Sequence, residues 1–583
     1  MKQHLTGNEA LARGAWEAGA SAAFGYPGTP STEILENLVK YPDVYCEWSP
    51  NEKVALEAAA GAAVGGVRSL VTMKCVGLNV ASDPMMTLSY IGIVAGMVII
   101  VADDPGQHSS QTEQDTRHYA RLAKLPILEP GNAIECRSFI MRAFDISEHF
   151  RCPVIIRTTT CVSHSRFAIE TADRVPHPRI PFVKNPSQFV PLPLWGRKLR
   201  AKVEDRMVAQ AVASSADAEL NTLFKRGDGL GIVSSGMVTL ECAEEFPEAS
   251  VLKLGWAWPF PDDLLRKFAA SCKEIAVIEE GDPILEEHIL SLGIKCHGKD
   301  VTPRCGELTP EVVAAIHARL DGREFNPPAP VPESSDLPSR PPMLCAGCPH
   351  RGLFYALSKF DVLVTGDIGC YSLGVFPPLE RTDILICMGG GFTLAHGFAK
   401  AGETRPVVGI VGDSTFFHSG ITGLLNLVYN QGNATLVVTD NRTTAMTGHQ
   451  DHPGTGRNLM GQPAPAADIE AIARACGMKR VRTVNPYNLK EMHDVFKEEL
   501  YCGEPSLIIS RAPCVLHDKK AIHPAPLLKA DVCRNCKSCL KLGCPALETP
   551  DAKAKPTINP QLCTGCGMCA EVCPFHAIEK AST

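Results

Sequence analysis

The chain has no basic excess: over 583 residues its formal charge is −7. Nucleic acid and acidic membranes, which select clustered lysine and arginine, are therefore not expected partners. Long apolar runs are missing too. The longest, Ile91 to Ala102, is too short to cross a bilayer, and the N-terminal MKQHLTGNEALARGAWEAG has no apolar signal core, so a cytoplasmic location is expected. No short-period repeat and no low-complexity tract interrupts the chain. What remains, 45% hydrophobic and 21% charged residues, is ordinary globular material, and at about 100 to 200 residues per domain it implies roughly three to five domains. Cysteine is the exception, at 24 residues. Without an export signal, that number argues against a disulfide scaffold and for reduced thiols and metal clusters in a low-oxygen cell.

Eight of the cysteines fall in two runs near the C-terminus: Cys533, Cys536, Cys539 and Cys544 before Pro545, and Cys563, Cys566, Cys569 and Cys573 before Pro574. Each run follows or nearly follows C-x2-C-x2-C-x3-C-P, the spacing that binds two [4Fe-4S] clusters, with the fourth cysteine of each run ligating the other cluster. One cluster is thus expected on Cys533, Cys536, Cys539 and Cys573, the other on Cys563, Cys566, Cys569 and Cys544. A zinc ribbon would need a longer central spacer. The first run departs by one residue, with Leu540 to Gly543 between its third and fourth cysteines. The ligand count survives this insertion.

Upstream, helical periodicity alternates with short apolar strands such as SLVTMK and MVIIVAD, the pattern of a parallel sheet covered by helices. α/β segments are expected at 1–180, 194–325 and 343–524 and a cluster domain at 528–583. Pro176 to Pro193 and Phe325 to Pro342 are proline-rich linkers. Strands are expected at LGIVSSG, SVLKLG and EIAVIEEG in the second segment. In the third they are expected at DVLVTGD, DILICMGGG, PVVGIVGDS, ATLVVTDN and SLIISRA. The fold class is α/β: three doubly wound domains and a small α+β domain carrying the two clusters.

Two strands of the third segment end in chemistry. PVVGIV runs into Gly412-Asp413-Ser414, and ATLVVT into Asp440-Asn441-Arg442-Thr443. Both ends belong on the carboxyl edge of a parallel sheet, where α/β proteins place ligands. Gly412 allows a diphosphate to approach the backbone, and Asp413, Asn441 and the Thr443 carbonyl offer hard oxygens for Mg²⁺. The pair resembles the thiamine diphosphate (TPP) motif, with Ser414 and Asp440 as departures that spare the metal-facing side chains. In the first segment Glu52 opens NEKVALEAAAGAAVGG. On position alone it reads as a helix N-terminal glutamate favoured by the macrodipole; its match to the activating-glutamate segment of TPP enzymes gives it a catalytic role.

TPP beside ferredoxin-type clusters is the combination of the 2-oxoacid:ferredoxin oxidoreductases. GYPGTPSTEI, NEKVALEAAAGAA, MKCVGLNVASDP, DDPGQHSSQTEQDTR, CAGCPHRG, GDSTFFHSG and DNRTTAMTGHQDHPGTG resemble the large subunits of the indolepyruvate:ferredoxin oxidoreductase family along essentially the whole chain. The resemblance implies two TPP-type domains and one transketolase C-terminal-like domain before the ferredoxin domain. It implies oxidative decarboxylation of an arylpyruvate to an aryl-acetyl-CoA, with CoA as co-substrate and ferredoxin as acceptor; pyruvate and branched-chain oxoacids are the rival substrates. A smaller beta subunit and an alpha–alpha dimer within a larger heteromer follow from it. TPP contacts are implied for Gly389 and Ser414 besides Gly412, Asp413, Asn441 and Thr443. Thr29 is implied near the oxoacid, with His108, Ser109, Gln111 and Arg117 on a nearby loop; Arg117 reads equally as a carboxylate clamp or as an arginine on a solvated helix. Cys345, Cys348, Cys370 and Cys514 stand where relatives carry a third [4Fe-4S] cluster close to TPP. The alternative is a redox-silent C-x2-C turn with two unpaired thiols.

Overall fold

Ser69–Lys74 and Met97–Asp103 are buried along their whole length, as strands covered on both faces must be. In this computed structural model, which describes residues 2–324, 342–551 and 553–580, they form the middle of a seven-stranded sheet. Its order is Trp256–Trp258, Ile127–Leu128, Val154–Thr159, Met97–Asp103, Ser69–Lys74, Ala22–Gly25, Tyr45–Trp48. Every pairing is parallel except the first, where Trp256–Trp258 lies antiparallel on Ile127–Leu128. That edge strand comes from the segment at 194–325, whose own sheet runs Glu274–Ile278, Leu230–Ser234, Ser250–Lys253, Leu223–Phe224. The two segments therefore share a sheet edge and belong to one compact unit, 1–334.

A buried charge network ties these two sheets together. Arg157 donates from Nε to Asp103 Oδ2 (2.6 Å) and from Nη1 to Glu129 Oε2 (2.9 Å), and Ser235 Oγ donates to the same Glu129 oxygen (3.0 Å). Beside it Arg117 donates to Asp115 Oδ2 (2.6 Å) and Glu279 Oε2 (2.5 Å). All five charged partners of this core and Asp115 are buried. Burial pushes the Asp103 and Glu279 carboxyls up, against the pull of their arginines, while Asp115, also buried, is held far below the usual carboxylate range by Arg117 and Arg157.

The second unit, 335–583, holds an all-parallel five-stranded sheet ordered Leu363–Thr365, Val407–Gly412, Thr435–Asp440, Ser506–Arg511, Arg480–Val484. DILICMGGG, one of the five strands expected here, is not a strand, and Arg480–Val484, which was not expected, makes the fifth. Asp383 accepts the Val364 N–H on its side chain (2.7 Å), which takes the place of a backbone carbonyl in the ladder. Only Ile384 bridges to Thr365, and the glycines then turn the chain into the helix Gly390–Lys400. The tail forms two short antiparallel pairs, Leu527–Leu528 with Ile578–Glu579 and Leu547–Glu548 with Thr557–Ile558. Its core of Leu542, Met568 and Ile578 packs on Leu489 of the α/β sheet's outer helix. The linker expected at Phe325 to Pro342 lies, but for its last residue, outside the described residues.

Replacing Arg157 by Met leaves Asp103 and Glu129 buried without their cation, an expected loss of about 3–5 kcal/mol. Calorimetric unfolding should show a clear fall in the melting temperature of the first unit. Arg200→Met, which breaks only exposed contacts, the pair with Glu204 and a hydrogen bond to the Tyr90 hydroxyl, is the reference and should leave it near wild type.

Candidate active site

In the first unit the carboxyl edge of the sheet collects Glu52, Lys74, Thr29 and Ser109. Asn51 caps the helix Glu52–Val64, its side chain accepting the Val54 N–H (2.9 Å), and so fixes Glu52 at the first helical position. Glu52 is buried and lies against Gly77 in the first turn of the helix Cys75–Ile91: a Cβ on Gly77 would fall 2.5 Å from Glu52 Oε1. Only a glycine admits the carboxylate there. Lys74 ends the strand Ser69–Lys74, and its Nζ donates to Ser109 O (2.6 Å) and Ser109 Oγ (3.0 Å). Ser109 Oγ in turn donates to Thr29 O (3.2 Å). Asp104 anchors this loop, accepting from Ser109 N (2.8 Å), Ser110 Oγ (2.6 Å) and Thr160 Oγ1 (2.7 Å). Burial works against its charge, but those hydrogen bonds hold its carboxyl below the usual range. Burial also lowers the Lys74 ammonium, with Asp104 offsetting part of that.

His108 and Gln111 are exposed on the same loop, and His108 Nε2 lies 3.2 Å from Glu307 Oε2. Arg117 corrects both sequence expectations. It is neither solvated nor turned toward a ligand: Nε and Nη2 fork onto Asp115 and Nη1 meets Glu279, while Nη2 also reaches Glu280 O and Asp282 O. A guanidinium whose charge is met by two buried carboxylates in this way is committed to holding the structure, not to a substrate carboxylate. Lys74, not singled out from the sequence, is the cation held beside Thr29.

In the second unit the adjacent strands Val407–Gly412 and Thr435–Asp440, in register Gly412↔Thr439, end together. Asp413 is buried and accepts Ser414 N on Oδ1 (2.8 Å) and Arg442 N on Oδ2 (2.7 Å). His452 Nε2 is 3.1 Å from the same Oδ2 but off the hydrogen-bond direction, so it is buried without a hydrogen-bond partner, as is Thr443 Oγ1. Asn441 Oδ1 accepts Thr443 N (3.3 Å). Asp440 turns away: it accepts Arg511 Nε on Oδ2 (2.7 Å) and lies 3.3 Å from Arg442 Nε on Oδ1. A Cβ on Gly412 would meet the Tyr371 ring at 2.7 Å, and Gly389, at φ 82°, would strike Ser419 Cβ at 2.4 Å. Buried oxygen donors, orphaned polar atoms and glycine-lined approach are what Mg²⁺ and a diphosphate require.

Residues missed from the sequence frame this edge. His350, within CAGCPHRG, is buried near Asp413, and burial pushes its imidazole down to about 4 despite that carboxylate. Asp367, at the end of DVLVTGD, accepts Gly391 N (3.0 Å) and Ile368 N (2.7 Å) and so pins the glycine turn before the helix Gly390–Lys400. Burial raises its carboxyl to about 7, against those backbone bonds. The signal that could have found both is a polar residue directly after an apolar strand or inside a cysteine motif.

Cys345, Cys348, Cys370 and Cys514 are brought together. The thiol of Cys370 feels Cys514 and Cys345, and that of Cys348 feels Cys370 and Cys345. Cys514 N donates to Asn441 O (3.0 Å), joining this set to the Asp413 edge. In the tail, Cys533, Cys536, Cys539 and Cys573 line one cavity, while Cys569 faces Cys566, Cys563 and Cys544. The fourth cysteine of each run thus stands with the first three of the other. Among the described residues no three His, Cys, Asp or Glu side chains draw together as a single-ion site.

An α/β scaffold with a diphosphate edge and paired four-cysteine sets defines a TPP-dependent oxidoreductase with an iron–sulfur domain. Three family models match: pyruvate flavodoxin/ferredoxin oxidoreductase, thiamine diphosphate-binding, over 13–190; thiamine pyrophosphate enzyme, C-terminal TPP-binding domain, over 367–510; and 4Fe-4S binding domain, over 556–579. Among curated proteins the chain is 42% identical to indolepyruvate oxidoreductase subunit IorA of Methanothermobacter thermautotrophicus, covering 99% of this chain and 97% of that one. Identity to the proteins of the same name is 38% in Archaeoglobus fulgidus (100% and 98% covered) and 37% in Pyrococcus abyssi (99% and 96%). The chain belongs to the indolepyruvate oxidoreductase IorA subunit family, a branch of the 2-oxoacid:ferredoxin oxidoreductases.

Because the folded Asp367 value lies above its unfolded one, the stability it contributes is full below the unfolded value and is lost as pH rises through about 7. Melting temperature should therefore fall between about pH 4 and about pH 7 by a component that Asp367→Asn lacks. Equal pH dependence in the two proteins would mean that Asp367 stays ionised.

Proposed function

We propose that this chain is the TPP-binding large subunit of an enzyme that converts an arylpyruvate such as indolepyruvate, with coenzyme A, to the aryl-acetyl-CoA and CO2. Two electrons leave singly for ferredoxin. The observation that carries the reading is the bond from Cys514 N to Asn441 O, which joins a redox-capable cysteine set to the cofactor edge in a chain whose relatives carry the indolepyruvate oxidoreductase name. When bound, TPP supplies the carbon nucleophile and electron sink for decarboxylation. Asp413, Asn441 and the Thr443 carbonyl would hold Mg²⁺ against the diphosphate, with Gly412, Ser414 and Gly389 giving it room. Glu52 would hold a proton at the aminopyrimidine end, in an alpha–alpha dimer completed by a smaller beta subunit. Thr29, Lys74 and His108 line the substrate side, Lys74 meeting the oxoacid carboxylate. Cys345, Cys348, Cys370 and Cys514 would carry a third cluster between this site and the two of the tail.

The test is viologen or ferredoxin reduction by the anaerobically purified complex over a panel of indolepyruvate, phenylpyruvate, pyruvate and a branched-chain oxoacid, with and without CoA. Preference for pyruvate or a branched-chain acid would overturn the substrate, and aldehyde release without CoA the reaction. In Glu52→Gln we expect retained TPP and iron but turnover reduced roughly 100-fold or more, since only proton transfer is impaired; wild-type turnover would remove Glu52 from that role. Lys74→Gln should raise KM for the oxoacid roughly 10- to 100-fold, the loss of one charge-assisted hydrogen bond of about 1.5–3 kcal/mol, with kcat changed less. Lys74→Arg should restore most of it.

A further inference from the structure

Arg351 is the second residue of the helix His350–Leu357, and its side chain is among the largest fully buried of the described residues. Among the described residues every hydrogen bond it donates goes to a backbone carbonyl: Nε to Cys345 O (2.9 Å), Nη1 to Leu542 O (3.1 Å) and Gly543 O (2.5 Å), and Nη2 to Leu344 O. Among the described residues no carboxylate pairs with it. The ionisable groups that face it are thiols, those of Cys544, Cys348, Cys345 and Cys566.

This is unlike Arg117 and Arg157, each of which is buried against carboxylates. A guanidinium cannot shed its proton, and a buried cation without a counter-charge is costly. Carbonyl dipoles solvate Arg351 but do not neutralise it. Thiols at their ordinary protonation do not either. Iron–sulfur clusters held by thiolates would, because such centres carry net negative charge.

The one-residue insertion in the first cysteine run has its use here. Leu540 to Gly543 ends in a left-handed Gly543, φ 63°, where a Cβ would fall 2.7 Å from Pro378 Cδ and 3.2 Å from Arg351 Nη1. The lengthened loop presents the two carbonyls that Arg351 Nη1 binds, so the motif's departure and the buried cation are two halves of one contact.

We propose that Arg351 is the fixed counter-charge shared by two iron–sulfur centres, the one on Cys345 and Cys348 and the one on Cys544 and Cys566, and that it raises the reduction potential of both. The proposal rests on the reading that these cysteines hold clusters. Reduction adds negative charge, which a nearby buried cation favours. Because the cation is common to the two centres, it eases entry of the electron into the pair more than it alters the step between them.

The test compares Arg351→Gln with Arg351→Lys in the anaerobically purified complex, by iron and sulfide analysis and by spectroscopically monitored redox titration. Arg351→Gln should lower the potentials of these two centres and leave the Cys533 centre in place, and Arg351→Lys, which keeps the charge, should stay near wild type. Should the glutamine variant lose iron, the lysine variant must retain it at wild-type potentials. Equal shifts or equal iron loss in both variants, or no shift in either, would overturn the proposal by reducing Arg351 to a structural peg. Iron content of the unaltered complex tests the cluster reading separately, since Arg351 is intact there.

Discussion

Parallel pairing puts the carboxyl end of every strand on one edge of its sheet, and the chemistry of this protein depends on that constraint. Gly412 and Asp440 lie in neighbouring strands of the second unit, so Asp413 and Asn441, far apart in sequence, emerge side by side. The same rule in the first unit brings the turn after Gly25 beside Lys74 and the loop after Asp103. Loops at the opposite edge carry none of these residues. An antiparallel arrangement would have sent alternate strand ends to opposite sides and scattered the site.

Once the edges are set, buried charge decides what each side chain is free to do. Arg117 looks from the sequence like an anion clamp, yet Asp115 and Glu279 enclose it, and the nearby ammonium of Lys74 meets only a serine and the field of Asp104. The distinction lies in the partners. A cation ringed by carboxylates holds structure together, whereas one supported by neutral oxygens keeps its charge for something else. Arg351, supported wholly by carbonyls between two cysteine sets, falls in the second class.

Local pattern was sufficient wherever one segment carried its own signal. The all-apolar strands at Ser69–Lys74, Met97–Asp103, Thr435–Asp440 and Ser506–Arg511 are legible because burial on both faces demands unbroken hydrophobicity. Family membership was legible because its motifs are contiguous. DILICMGGG misled for the same reason: apolar residues permit a strand, but an aspartate side chain in the ladder and three glycines end it. Nothing local to WAWPF marks Trp256–Trp258 as the edge of another segment's sheet.

Neighbouring residues alone fix the buried central strands, the cysteine spacings, the strand-end motifs and the family, since each is written locally and in periodicities of two or 3.6. Which polar groups meet is set by the three-dimensional fold. It buried Arg117 among acids, set Lys74 beside Thr29, placed Asp367 under the glycine turn and laid the inserted loop on Arg351. The reason is that charge compensation acts between groups whose separation in space is unrelated to their separation along the chain.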